Sequence, residues 1–126
     1  MTVIFDAGAF VALERGDRDL VAIIKRERLA GRAPITHGGA VGQVWRGGQR
    51  RQALLARALA GVEVVPLDDM LGRRAGALLG ATRMNDVVDA ALVLLAGDGD
   101  EVYTSDPHDL AALAHGAQLH VDVIVV

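Results

Sequence analysis

The sequence contains no cysteine and very few aromatic residues. Without cysteine, disulfide bonds and thiolate metal sites are excluded, and the composition fits a protein of the reducing cytoplasm. Only 3% of the residues are aromatic, although 52% are hydrophobic. The core is therefore predicted to consist mainly of alanine, valine and leucine.

Long apolar segments are also missing. No hydrophobic run approaches the roughly 18 residues that a membrane span requires. The first ten residues, MTVIFDAGAF, lack the basic region and the cleavage site of a signal peptide. We therefore expect a cytoplasmic protein without a membrane partner. A length of 126 residues predicts one domain, residues 1–126, that is large enough to bury a core.

The chain carries slightly more negative than positive charge. Its formal net charge is −3, and Lys25 is the only lysine among 13 basic residues. This balance gives no general attraction to nucleic acid, so any such partner must be held by local basic patches or by a metal ion.

The most informative stretch runs from Asn85 to Leu110, NDVVDAALVLLAGDGDEVYTSDPHDL. It predicts a helix from Asn85, a break at Gly97, a strand over Glu101–Thr104, and a second helix from Pro107. Two carboxylates fall at the start of each helix; these are Asp86 and Asp89, then Asp106 and Asp109.

The rest of the chain alternates between short apolar strands and helical segments. Strands are predicted at residues 2–5, 33–36, 62–65, 101–104 and 119–126, and helices at 7–13, 19–29, 37–47, 49–59 and 68–82. In helix 19–29, the apolar residues Leu20, Ile23, Ile24 and Leu29 are expected to face inward. The alternation predicts an α/β fold with a mostly parallel central sheet of four to five strands and helices on both faces.

On this topology the carboxylates meet at one edge of the sheet. A helix that precedes a parallel strand runs antiparallel to it, so the start of the helix lies at the carboxyl edge, where ligands of open α/β sheets bind. Asp6, at the end of the first strand, faces the same edge. Clustered carboxylates repel each other unless a cation lies between them, and oxygen ligands suit Mg²⁺ or Mn²⁺.

Four segments together resemble the PIN-domain ribonucleases, and most closely the VapC-like toxins of type II toxin–antitoxin pairs. They are VIFDAGAFVAL, ITHGGAVGQVWRGG, NDVVDAALVLLA and VYTSDPHDL, and they occur in the order and spacing of that family over essentially the whole chain. The resemblance implies a three-layer α/β/α sandwich.

The resemblance also assigns roles to residues. It implies that Asp6, Asp89 and Asp106 are catalytic and bind the metal, with Asp86 as an additional acid and Thr104 as the accompanying threonine. The remaining acid of the family, usually a glutamate, falls on Gln43. Glutamine can offer an amide oxygen to a metal, but it carries no charge and cannot act as a base.

The implied activity is hydrolysis of RNA phosphodiester bonds with Mg²⁺ or Mn²⁺. The nearest basic cluster, Arg46, Arg50 and Arg51, is a candidate for holding RNA phosphates. The implied partners are the RNA substrate and a small antitoxin protein, and the chain is expected to form a homodimer.

Other interpretations of the same residues remain open. Asp6 and Asp106 are also suitable N-caps, and Asp109 fits a capping-box partner better than a ligand. The four histidines lack the spacing of metal ligands, so surface or turn roles are expected for them. The alternative function is a degenerate PIN domain, impaired by Gln43, that serves as a protein-binding module.

Overall fold

The computed structural model describes residues 1–47 and 50–126, and it has the predicted order of strands and helices. The strands are β1 (Val3–Phe5), β2 (Ile35–His37), β3 (Glu63–Val65), β4 (Glu101–Thr104) and β5 (Asp122–Val125). The α-helices are α1 (Ala7–Glu14), α2 (Arg18–Leu29), α3 (Gly38–Val44), α4 (Ala53–Leu59), α5 (Asp69–Thr82), α6 (Val87–Leu94) and α7 (Pro107–Gly116). Within the described ranges, no helix has the length and apolar character needed to cross a bilayer.

Two predicted helices differ from the structure at one end. The helix predicted at residues 37–47 ends already at Val44, and the helix predicted at residues 49–59 differs in its first part. The prediction for residues 49–59 begins at Gln49, which lies outside the described residues. The segment Arg50–Gln52 forms a short 3₁₀ turn, and the α-helix begins only at Ala53.

The five strands form one parallel sheet in the order β3-β2-β1-β4-β5. The predicted three-layer α/β/α fold with a parallel central sheet is therefore confirmed. The chain adds β2 and β3 on one side of β1, and then crosses over to add β4 and β5 on the other side. The strand order thus reverses between β1 and β4, and the crevice at the carboxyl ends of two such strands is where open α/β sheets bind ligands.

Alternate residues of the central strands supply two separate cores. Ile4 of β1 and Val102 of β4 pack against α5, α6 and α7, in a core that contains only aliphatic side chains. Val3 and Tyr103 face the opposite side, toward α1, α2 and α4. Side chains alternate across a strand, so both faces of the sheet are covered by helices and both are apolar.

The few aromatic residues are concentrated in the second core. Phe5 is in edge-to-face contact with Phe10, with ring centroids 5.8 Å apart, and with Tyr103, with centroids 5.7 Å apart. This geometry is the preferred one for aromatic pairs. The prediction of an aliphatic core therefore holds for the α5–α7 face but not for the α1 face, where three of the four aromatic residues pack together.

Helix α2 corrects one detail of the predicted core. Leu29, expected to face inward, is 91% exposed, whereas Glu27 is completely buried. The inward face of α2 follows Leu20, Ile24 and Glu27, at spacings of four and three, and Leu29 lies on the opposite side of the helix. The buried carboxylate of Glu27 is paired with the guanidinium groups of Arg26 and Arg32, at 3.1 and 3.2 Å.

Candidate metal centre

The acidic residues predicted from the sequence meet where the strand order reverses. Asp6 directly follows β1, and Asp106 follows the neighbouring strand β4 after one intervening residue. Helices α6 and α7, which start next to Asp86 and Asp106, bring their first turns to the same edge. Three segments of the chain therefore place carboxylates at one end of the β1–β4 pair; they are the end of β1, the start of α6 and the β4–α7 junction.

Three of these carboxylates form a compact group. One oxygen atom each of Asp89, Asp106 and Asp109 lies within 4.8 Å of the other two. Oxygen ligands of a single Mg²⁺ lie about 3 Å apart when adjacent and about 4.2 Å apart when opposite. The oxygens of this acidic triad are therefore close enough for small movements of the side chains to let them share one cation.

Asp109 takes a different place from the one expected. In a capping box its carboxylate would bind the backbone N–H of the N-cap residue, Asp106. That N–H instead donates to the hydroxyl oxygen of Thr104, at 2.8 Å, and the Asp106 side chain makes no capping bond either. Both carboxylates are consequently left to face each other, and the hydrogen bond and the charge of Asp106 raise the pKa of Asp109.

Asp6 lies behind the acidic triad and is only 4% exposed. Its Oδ1 accepts the N–H of Ala9 at 2.9 Å, which confirms its N-cap role, and its Oδ2 accepts the hydroxyl of Thr104 at 2.5 Å. Burial raises the pKa of Asp6, and these two hydrogen bonds act in the opposite direction. Because each carboxylate oxygen has a second lone pair, Asp6 can still support a cation while holding its own helix.

Thr104 connects the two central strands at the site. Its hydroxyl donates to Asp6 and accepts from the backbone N–H of Asp106, and the residue is fully buried. One hydroxyl therefore fixes both the carboxylate that follows β1 and the backbone of the carboxylate that follows β4. This explains in physical terms why a threonine stands two residues before an acid in this segment.

Replacing Thr104 by valine is expected to destabilise the protein by about 3 kcal/mol, because a buried carboxylate loses a donor and a backbone N–H loses its acceptor. Thr104→Ser keeps the hydroxyl and is expected to cost about 1 kcal/mol, the loss of one methyl group. Urea unfolding of the two variants near neutral pH measures the difference. Equal losses in both would show that the hydroxyl contributes little to the site.

Asp89 has the most strongly perturbed carboxyl group. Burial raises its pKa to about 7, with further contributions from the charges of Asp86, Asp6, Asp106 and Asp109. The neighbouring Asp86 is exposed and accepts the N–H of Asp89 at 3.1 Å, so it caps α6. Asp86 therefore adds negative charge to the site from a capping position and lies outside the acidic triad.

Close packing of α1 against the β4–α7 connection fixes the position of Asp106. A Cβ atom added to Gly8 would lie 2.1 Å from the Oγ of Ser105 and 2.9 Å from its backbone nitrogen. The connection therefore passes over the first turn of α1 with no room for a side chain. Glycine at position 8 is required by this approach.

Gly8→Ala is expected to destabilise the protein by about 1–3 kcal/mol and to displace Asp106, because the backbone of Ser105 must move to admit the methyl group. Gly76→Ala is the matched control, since its added Cβ meets nothing within 4 Å in α5 and alanine favours a helix by about 1 kcal/mol. Thermal unfolding in EDTA measures both effects. A Gly8→Ala protein as stable as the native chain would contradict the close approach.

His37 is a site residue that the sequence did not reveal. A surface or turn role was expected, but the side chain is fully buried, so the surface alternative is wrong. Its Nδ1 accepts the N–H of Gly39 at 3.0 Å and its Nε2 lies 2.9 Å from the carbonyl oxygen of Val88, which assigns the neutral tautomer with hydrogen on Nε2. Burial lowers the pKa of His37. The residue thus ties β2 to the first turn of α6, next to Asp89.

The remaining predicted site residues lie on or after α3. Gln43 is exposed, and its backbone carbonyl accepts a hydrogen bond from Arg46. The Arg46 guanidinium also contacts the carbonyls of Gly42 and Trp45, so it caps the end of α3. The other two arginines of the basic cluster, Arg50 and Arg51, are exposed.

Comparisons with known proteins do not identify the chain. No protein-family model matches it, and no curated protein is similar to it. Any assignment of function therefore depends on the geometry of the site and on the sequence segments quoted above.

Proposed function

We propose that this chain is a metal-dependent endoribonuclease of the PIN type, and that it acts in the cytoplasm as the toxin of a VapBC-type toxin–antitoxin pair. The observation that carries the proposal is the acidic triad, whose oxygens lie within 4.8 Å at the point where a parallel sheet reverses its strand order. The resemblance of the four sequence segments supplies the specific reaction, hydrolysis of an RNA phosphodiester bond.

The proposed roles follow from the geometry of the side chains. Asp89, Asp106 and Asp109 would hold Mg²⁺ or Mn²⁺, and Asp6 would support them from its buried position. Thr104 keeps Asp6 and Asp106 in register through its hydroxyl. Bound there, the ion would stabilise negative charge on the scissile phosphate and lower the pKa of a water molecule. This set differs from the one implied by the resemblance in giving Asp109 a central place.

A second surface supports the proposal of a protein partner. A groove of about 300 Å³ lies between α1, α2 and α4, with apolar walls from Leu13, Val21 and Leu54. Basic side chains line the same groove; these are Lys25, Arg28 and Arg57. An apolar groove with a basic rim suits an amphipathic antitoxin segment that carries acidic residues beside its apolar face. Self-association as a homodimer is a further part of the proposal.

The alternative is a catalytically impaired PIN-type fold that serves as a protein-binding module. Two observations favour it: Gln43 brings no charge to the site, and the α1–α2–α4 groove offers a binding surface that does not need the acidic triad. On this alternative the carboxylates would maintain the fold through helix capping, as Asp6 and Asp86 do.

Titration of the purified protein with Mn²⁺, followed by thermal unfolding and by cleavage of a labelled single-stranded RNA, tests the proposal. Saturating metal at 100 times its dissociation constant is expected to stabilise the protein by about 2.7 kcal/mol, because the ion removes repulsion in the folded state. A melting temperature that does not respond to millimolar Mn²⁺ would count against the metal site. Metal binding without cleavage would favour the binding module.

A further inference from the structure

A groove runs along one face of α1, away from the acidic triad. Gly8, Val11, Ala12 and Arg15 line it at helical spacings of three, one and three residues. The turn at Gly16 and Asp17 closes its far end, and Ser105 and Val126 complete the lining. Its volume is about 490 Å³, within the range of about 300–1,000 Å³ that is typical of small-molecule sites.

The two ends of this groove, which we call the α1 groove, differ in charge. At the near end, Gly8 and Ser105 are in close contact. Gly8 lies two residues after Asp6 and Ser105 directly precedes Asp106, so this end is next to the acidic site. At the far end lies the exposed guanidinium of Arg15, about 10 Å further along the helix at 1.5 Å per residue. Among the described residues, no carboxylate pairs with this guanidinium.

The chemistry of the lining selects a class of ligand. A single cation at the end of a mostly aliphatic wall suits a group with one negative charge and an apolar body, and the hydroxyl of Ser105 adds a hydrogen-bonding group. Asp17 also lines the far end and keeps its charge, but one oxygen of its carboxylate is held by the N–H of Leu20, at 3.0 Å, where it caps α2, and the carboxylate forms no ion pair with Arg15. A nucleotide unit, with its phosphate on the guanidinium and its base against the aliphatic wall, has these properties.

We propose that the α1 groove is a binding site for the nucleotide of single-stranded RNA that flanks the cleaved bond, with the phosphate of that nucleotide on Arg15. This inference rests on the proposed ribonuclease function and names the path by which the substrate leaves the acidic triad. An anionic strand that crosses several carboxylates gains from a cation beyond them, and Arg15 is the cation at the end of this groove. The aliphatic wall predicts little preference among the four bases.

The test uses adenosine 5′-monophosphate as the probe, with NMR detection of the backbone amides of the metal-free protein. Shifts are expected at Gly8, Gly16 and Ser105. Arg15→Gln is expected to weaken binding about tenfold, the usual effect of losing one charge-assisted hydrogen bond. Arg74→Gln, an exposed arginine on the opposite face of the sheet, is the matched control and is expected to bind as the native chain does. A second variant, Val126→Glu, places a negative charge on the groove wall and should also weaken binding.

Several outcomes would overturn the inference. These are amide shifts confined to α6 and α7, or equal affinity in the Arg15→Gln and native proteins. A third is an Arg15→Gln protein that no longer binds the mononucleotide but still binds a short single-stranded RNA as the native chain does. The α1 groove would then lie outside the path of the RNA. Cleavage that does not depend on Arg15 would remove the α1 groove from the substrate path and leave the ribonuclease intact. Arg15-dependent binding of both the mononucleotide and the RNA, in a chain that cleaves nothing, would support the groove and reject the ribonuclease.

Discussion

Replacing Asp89 by asparagine is expected to abolish RNA cleavage and, at the same time, to stabilise the metal-free protein. The substitution keeps the size of the side chain but removes a negative charge that both burial and the neighbouring carboxylates disfavour. Without this charge the remaining two members of the triad are expected to hold Mn²⁺ poorly. The stabilisation of about 2.7 kcal/mol expected for the native chain at saturating metal should fall close to zero.

Asp19→Asn is the matched control for this variant. Asp19 also lies in the first turn of a helix and is exposed, but it is outside the acidic triad. Its replacement should leave metal response and cleavage unchanged. Cleavage by the Asp89→Asn protein at the native rate would exclude Asp89 from the site, and cleavage that survives loss of both Asp86 and Asp89 would overturn the whole assignment.

The same variant has a characteristic dependence on pH. In the folded, metal-free protein the pKa of Asp89 is about 7, compared with a reference value of 3.8. Between these values the folded chain holds more protons than the unfolded chain, so the contribution of Asp89 to the free energy of unfolding decreases as pH rises, and it is constant above about pH 7. The native protein should therefore lose stability between about pH 4 and about pH 7 in EDTA, and Asp89→Asn should lose less.

The stabilisation in the Asp89→Asn protein is expected to be about 1–3 kcal/mol at about pH 8, after allowance for the screening of a partly exposed group by solvent. Urea unfolding at several pH values measures it. Parallel pH profiles for the native and Asp89→Asn proteins would show that Asp89 ionises in the folded state as it does in the unfolded chain.

Glutamate in place of Gln43 is expected to tighten Mn²⁺ binding about tenfold and to increase RNA cleavage, because on the proposed PIN-type function position 43 corresponds to the glutamate of that family, and the added charge would then act on the metal. Amide and carboxylate groups are nearly the same size, so the fold should not change. Gln118→Glu is the matched control: it adds the same charge to an exposed position beyond the end of α7, which runs away from the site. If both substitutions changed Mn²⁺ binding and cleavage equally, the effect would come from the net charge of the protein and not from the position of residue 43.

The comparison of Gln43→Glu with Asp86→Asn separates the two proposed functions. If Asp86 compensates for the missing glutamate, the native chain cleaves RNA and Asp86→Asn silences it. The other result is a native chain that is inactive, a Gln43→Glu protein that cleaves RNA, and an Asp86→Asn substitution without effect. In that case the protein is the catalytically impaired binding module. Because Asp86 also caps α6, its replacement by asparagine, another good N-cap, leaves the helix start intact.

Much of the fold was predictable because local signals agreed with the final structure. The strand Glu101–Thr104 was predicted with its observed bounds, since apolar and β-branched residues are enclosed between a glycine-rich turn and a proline. Asp6, Asp68 and Asp86 each precede a helix whose N–H groups they cap. These interactions span only three residues, so the sequence around each one determines them.

The errors concern residues whose environment is set by distant parts of the chain. The spacing of apolar residues could not show that Glu27 would be buried by two arginines while Leu29 faced solvent. The position of His37 depends on the carbonyl of Val88, 51 residues away. Asp109 was assigned to a capping box because the sequence did not show that Thr104 would take the N–H of Asp106. Local patterns identified the acids of the site, and tertiary contacts decided which of them face each other.

The pairing of β1 with β4 determines how much of the chain must be synthesised before the acidic site can form. Asp6 is synthesised well before its partner at the site, because the hydroxyl that holds its carboxylate belongs to Thr104, 98 residues later. A nascent chain that stops before residue 101 has neither β4 nor two members of the acidic triad, Asp106 and Asp109. Because residues from distant parts of the chain must all be synthesised before the site can form, translation that stops between β1 and β4 yields fragments that contain Asp6 but lack the acidic triad.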